Sequence, residues 1–233
     1  MLKRQMSETF RLGAILAASG GFMDAYSYMC RDEVFANAQT GNMLLLGINL
    51  AEQNWPLTIR YFFPVFAFAA GIVLSDLVRH HLEDHSLLHW RQLAVVVEAL
   101  VLMGVCFIPR EYNLLANSLT SLACGIQVES FRKIHGNGVA TTMCIGNLRG
   151  ATQNLMEFME THERRFITRS GMYFGIIFCF VCGAVLGNFC VGWLREQALL
   201  VCVALLLISF LMMFVDGEKD EEEREKRRKM KLK

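Results

Sequence analysis

Two acids sit inside apolar stretches of this chain. Asp24 lies among Gly20, Gly21, Phe22, Met23, Ala25 and Tyr26, and Glu129 follows Gly125, Ile126, Gln127 and Val128. A carboxylate at membrane depth costs at least about 2.5–3.5 kcal/mol, so it normally faces a cavity, a partner, or a proton or cation that it binds. Two short polar runs accompany the acids. Thr40-Gly41-Asn42 and Ile145-Gly146-Asn147 are each followed, seven residues on, by a second Asn, Asn49 and Asn154. Gly permits tight backbone geometry and Asn is favoured at helix starts. A helix beginning there would present unpaired N–H groups and a partial positive charge. Two such starts meeting near a membrane midplane would bind an anion or a polar ligand. Thr40, Asn42, Thr141, Thr142 and Asn147 would add donors and acceptors, and Arg149 a counter-charge for Asp24 or for the ligand. The alternative is plainer: the same groups knit the helix starts together, and the acids cap or snorkel at helix ends. The expected substrate-binding set is therefore Asp24, Thr40, Gly41, Asn42, Glu129, Thr142, Gly146, Asn147 and Arg149.

Catalysis finds little support. There is no P-loop, no G-x-S-x-G, no H-E-x-x-H and no nucleotide fingerprint. The chain is expected not to be an enzyme, with no catalytic residue, no cofactor and no metal. His81, His85 and His89 are spaced four apart and would share a helix face able to hold a transition metal, but they lie in a charged loop and read better as interfacial polarity. Eight Cys fall mostly inside apolar runs, where they read as small buried hydrophobes. Cys179-x-x-Cys182 is read the same way.

The elements that must position these groups follow from hydropathy. The chain has 233 residues, 54% of them hydrophobic, and only three Pro. Apolar segments fall near 12–30, 40–52, 57–78, 92–108, 112–131, 141–157, 168–190 and 194–215. Six of them are long enough to cross a hydrocarbon core about 30 Å thick. The second and sixth, which carry the Gly-Asn runs, are shorter and more polar and read as half-helices. One ungapped offset of 105 residues aligns Gly20 with Gly125, Asp24 with Glu129, Gly41 with Gly146, Asn42 with Asn147 and Asn49 with Asn154. If the half-helices do not cross, Arg79 and Arg91, Arg132 and Lys133, and Arg164, Arg165 and Arg169 all fall on the side of the two termini. The positive-inside rule then places both ends in the cytoplasm. Three spans per half is odd, so the second half enters upside down. The predicted fold is all-α: a polytopic membrane protein of six transmembrane helices in two inverted three-helix repeats, each with a short extra half-helix.

The organisation expected is a cytoplasmic N-terminus over 1–11, membrane repeats over 12–108 and 109–215, and a charged cytoplasmic tail over 216–233. A cleaved signal peptide is not expected: Ala36-Asn37-Ala38 lies too far beyond the first apolar core, with Asp24, Arg31, Asp32 and Glu33 between. Gly71-x-x-x-Ser75 and Gly183-x-x-x-Gly187 read as stripes for close helix approach.

Gly21-Phe22-Met23-Asp24-Ala25 followed by Thr40-Gly41-Asn42 resembles the opening of the YoaK family. Gly125-Ile126-Gln127 and Val139-Ala140-Thr141-Thr142 before Gly146 resemble its second half. The likeness covers roughly 10–215, with Glu129 and Ile145 departing from the family pattern. It implies a multi-pass bacterial inner-membrane protein and supplies no substrate, cofactor or catalytic residue. The functional expectation is a small-molecule or ion transporter or channel with its site at the repeat interface. A membrane enzyme acting on a lipid or hydrophobic substrate, and a non-transporting scaffold or sensor, are the alternatives. Expected partners are membrane lipid, an unknown small molecule or ion, and a second copy in a homo-oligomer, but no nucleic acid.

Overall fold

The computed structural model describes residues 9–82, 90–134 and 137–213. His85, His89 and the charged tail lie outside the described residues, as do the first eight positions. Helix α1 (Phe10–Cys30) starts where the Thr9 hydroxyl accepts a hydrogen bond from Leu12 N at 3.4 Å. It stops at Arg31, beyond which Asp32 and Glu33 adopt left-handed φ of 65° and 57°. Helix α2 (Gln39–Ala51) and helix α6 (Cys144–Thr161) carry the Gly-Asn runs. Each turns into a long helix through one left-handed residue, Gln53 before α3 (Trp55–Leu82) and His162 before α7 (Arg164–Leu194). Helix α4 (Trp90–Val105) leads through a short turn into α5 (Asn113–Ser130), and a final helix, α8, covers 200–213. A two-residue antiparallel pair, Lys133–Ile134 with Asn137–Gly138, precedes α6.

The chain is thus all-α in its body. Trp55–His81 and Arg164–Met213 are long and apolar enough to cross a membrane. At 1.5 Å per residue, α2 reaches only about 20 Å, well short of a bilayer core, but α6, at 18 residues, is as long as α5 and longer than the half-helix the sequence predicts. Apolar side chains cover the outside: Phe62, Phe63 and Phe66 on α3, and Phe178, Phe189 and Trp193 on α7. A water-soluble protein rarely exposes so continuous a patch, whereas lipid solvates it.

The packing is exchanged between the halves. Helix α1 packs mainly on α7, and α5 mainly on α3; α2 lies on α3, and α6 on α7. The long contacts are built on glycine. A Cβ on Gly21 would strike the Phe180 carbonyl, and one on Gly183 the Ala18 carbonyl. On the other side, Gly125 meets the Phe68 carbonyl and Gly71 the Leu122 carbonyl. Backbone therefore touches backbone, which is how helices gain contact area where lipid removes the hydrophobic drive. These matched contacts relate α1 to α5 by 104 residues and α3 to α7 by 112. Only the half-helices keep the 105-residue offset read from the sequence.

Candidate functional site

The one-residue slip decides the fate of the expected acid pair. With α1 and α5 matched at 104, Val128 and not Glu129 stands opposite Asp24. Glu129 faces the basic edge of the bundle, 3.1 Å from Arg132 and 3.6 Å from Arg79, which also pairs with Asp76. It leaves the substrate-binding set.

Asp24 is buried, and its Oδ1 accepts from Asn37 N at 2.7 Å and Ala38 N at 3.4 Å. Ala38 is the N-cap of α2 and offers no side-chain cap of its own. The carboxylate thus serves as a remote cap, placing negative charge at the positive end of α2. Helix α6 has no such cap: it starts after Met143 without a side-chain acceptor. Its first residue, Cys144, lies within electrostatic reach of Asp24. Both half-helix starts therefore converge on α1 near Gly20–Asp24.

The Gly-Asn motifs mostly do local work. Asn42 donates to Phe35 O at 2.7 Å and accepts from Phe35 N at 3.0 Å, clasping the preceding loop. Asn147 donates to Ala140 O at 2.6 Å, again seven residues back. Asn49 and Asn154 bond the carbonyls one turn earlier, Leu45 and Gly150. Gly41 lies under the Phe35 ring, where a Cβ would sit 2.8 Å from ring carbon, whereas Gly146 faces open space. Thr40 and Arg149 are exposed and do not reach the centre. Each sits two residues, about 200°, around its helix from the buried Asn or from the start that points inward.

What fills the meeting point instead is a set of loop and helix polar groups. Asn37 donates from Nδ2 to Gly20 O at 3.0 Å. Its Oδ1 has no donor beyond the weak thiol of Cys124 beside it. Thr142 lies against Gly20, its Cγ2 3.0 Å from where a Cβ would stand, and its buried Oγ1 has no partner. Gln127 reaches from α5 to Leu16 O at 3.1 Å and to Thr141 Oγ1 at 3.4 Å, leaving Oε1 unpaired. Gln39 ties the start of α2 to α5 through Ser121 Oγ at 3.4 Å. These three unsatisfied oxygens, with Ser19 Oγ as a fourth, belong to side chains on or against the turn of α1 between Leu16 and Gly20, close to Asp24. More than nine in ten buried polar groups in folded proteins are paired. This concentration makes the turn the candidate polar site. Thr142 and Asp24 were legible as candidates; Asn37 and Gln127 were not, since a loop Asn and a helical Gln carry no motif.

Above this centre, Arg31 is fully buried. Its guanidinium donates to Tyr26 Oη at 2.8 Å, Asn113 Oδ1 at 3.0 Å, Val105 O at 3.2 Å and Pro109 O at 3.5 Å. Asn117 donates back to Arg31 O at 2.6 Å. Tyr26 continues to Glu196 O at 3.2 Å, and Glu196 pairs with Arg110. This knot joins α1, α4, α5 and the α7–α8 turn.

The family model described as Protein of unknown function (DUF1275) matches residues 12–212. The chain belongs to that family. It is also similar to the UPF0700 transmembrane protein YoaK of Bacillus subtilis (strain 168), with 21% identity over 182 residues, 74% of this chain and 80% of that protein. No solved structure matches. With the apolar exterior and the two long apolar stretches, this makes the chain a bacterial membrane protein in contact with lipid. Among the expected groups, His81 is described and bonds Leu77 O at 2.9 Å. All eight cysteines are free thiols.

Proposed function

We propose that this protein is a small transporter or channel of two inverted halves, passing a polar solute or ion through the centre between α1, α5 and the starts of α2 and α6. The exchanged packing supports the inversion: α1 lies on α7 as α5 lies on α3, with glycine contacts matched pair for pair. In this reading α2 re-enters from the outer face and α6 from the cytoplasmic face, with both termini in the cytoplasm, as the loop arginines favour. The observation that carries the reading is the trio of unpaired buried oxygens of Asn37, Gln127 and Thr142 beside Asp24. Discontinuous helices meeting at such a point are the usual device for exposing backbone and polar groups at membrane depth. Acceptors outnumber donors there, which favours a solute bearing N–H groups or positive charge. Helix α6, uncapped, offers donors to the opposite end of the same solute.

The test is current on a solid-supported membrane carrying proteoliposomes of the full chain, challenged in turn with alkali cations, ammonium and zwitterionic amino acids. One class is expected to give current that falls at least tenfold in both Asn37→Ala and Thr142→Val, with unchanged thermal unfolding. If no class gives current from folded protein, the scaffold reading replaces this one. Asp24 then serves only to cap α2.

A further inference from the structure

Glu98 stands on α4, the helix that packs mainly on α5. It is 0% exposed, and neither carboxylate oxygen has a hydrogen-bond donor. Among the described residues no cation pairs with it. The ionisable groups within electrostatic range of it are thiols, Cys124 from α5 and Cys202 from α8. Helix α3 and the 195–199 turn also touch α4, and neither brings it an ionisable partner. Cys124 is the link to the polar centre: it senses Asp24 as well as Glu98, and Asn37 lies beside it. Cys202 makes a second link, its Sγ 3.8 Å from Ser19 O on α1, one residue before Gly20. Ser19 Oγ is itself buried without a partner.

A bare carboxylate sealed away from solvent, with no donor and no counter-charge, is costly, and binding a proton removes that cost. Nothing in the packing needs an acid there. A leucine or a methionine would fill a similar volume without the cost of a polar group, which points to use of the proton itself. We propose that Glu98 is a proton-binding site, loaded in the closed structure and unloaded when the α4–α5–α8 contact opens to water from the polar centre. On release the carboxylic O–H bond breaks, the proton passes to an entering water, and the carboxylate stays on α4. The proposal deepens the transport reading by naming the proton as the coupling ion, and it rests on that reading only for the route of release.

The test needs no solute. Full-length protein in lipid nanodiscs is titrated while the carboxylic acid C=O band is followed by infrared difference spectroscopy. The expected result is an acid band at neutral pH that shifts in heavy water and disappears on alkalinisation. It is absent from Glu98→Gln and retained in Asp24→Asn. Wild-type protein is also treated with a hydrophobic carbodiimide, which adds to protonated carboxyls, and the adduct is mapped by mass spectrometry to Glu98; this arm does not depend on a variant folding. Three results overturn the proposal: no acid band at neutral pH, a band that survives Glu98→Gln, or a band that neither exchanges nor titrates until the protein unfolds. Solute currents absent with a titrating Glu98 sink only the transport reading. A missing Glu98 band beside intact currents sinks only this one.

Discussion

Arg31→Ala is expected to be the most damaging single polar substitution, lowering stability by about 3 kcal/mol. Four oxygens lose a donor at once, and two of them, Tyr26 Oη and Asn113 Oδ1, keep no other, whereas Val105 O and Pro109 O still accept from Ile108 N and Tyr112 N. Each buried acceptor left unpaired costs about 1–3 kcal/mol, partly offset because the guanidinium no longer has to be desolvated. The backbone adds to the loss, since Asp32 and Glu33 hold left-handed φ directly after this anchor. Arg31→Lys should recover only part, because an ammonium cannot fork to carbonyls of α4 and the α5 start together. The check is the thermal unfolding midpoint of purified protein in one mild detergent, comparing wild type, Arg31→Ala and Arg31→Lys. An Arg31→Ala midpoint equal to wild type would show that the knot is ornamental. Because the same loop carries Asn37, solute current should also fall in Arg31→Ala at temperatures where it remains folded.

The second large effect comes from adding a single methyl group. Gly183→Ala places a Cβ into the Ala18 carbonyl, and that obstacle is backbone, which cannot swing away. Helices α1 and α7 must move apart, and overpacking of this kind costs about 1–3 kcal/mol. In a bilayer the loss is not recovered by burying the methyl, because lipid is as apolar as the interface. Gly192→Ala on the same helix meets nothing within 4 Å and is the control. It should hold or slightly raise stability, since Ala is the better helix former by about 1 kcal/mol. Equal midpoints for the two variants would contradict the backbone contact. Gly71→Ala, against the Leu122 carbonyl, should repeat the Gly183→Ala result in the other half.

The sequence carried the elements better than the site. Hydropathy and Gly-Asn placement located α1 through α8 because apolar run length and helix-start chemistry are local properties. The glycine stripes were legible for the same reason: small residues four apart on a lipid-solvated helix have few other uses. Phase was not legible. An offset of 105 residues, true for the half-helices, differs by one from the 104 that relates α1 to α5, and one residue turns a side chain by about 100°. That turn carries Glu129 out to Arg79 and Arg132 and leaves Asp24 without an acidic mate. Thr40 and Arg149 failed in the same way, on the outer faces of helices whose inner faces hold Asn42 and Asn147. Arg31 carries no motif in the sequence, and only folding the α4–α5 turn over it reveals four acceptors. Glu98 did carry a local signal, an acid within the apolar stretch of α4, but no repeat partner marks it.

The central claim is that water and solute reach the meeting point of α2 and α6. The direct measurement is labelling by a small charged thiol reagent in membranes, with the native cysteines replaced and one cysteine returned at a time. Thr142→Cys and Asn37→Cys are expected to react in the folded protein, and Leu102→Cys, in the apolar core, only after unfolding. If all three stay unreactive until the protein unfolds, the centre is a dry joint and the account is wrong.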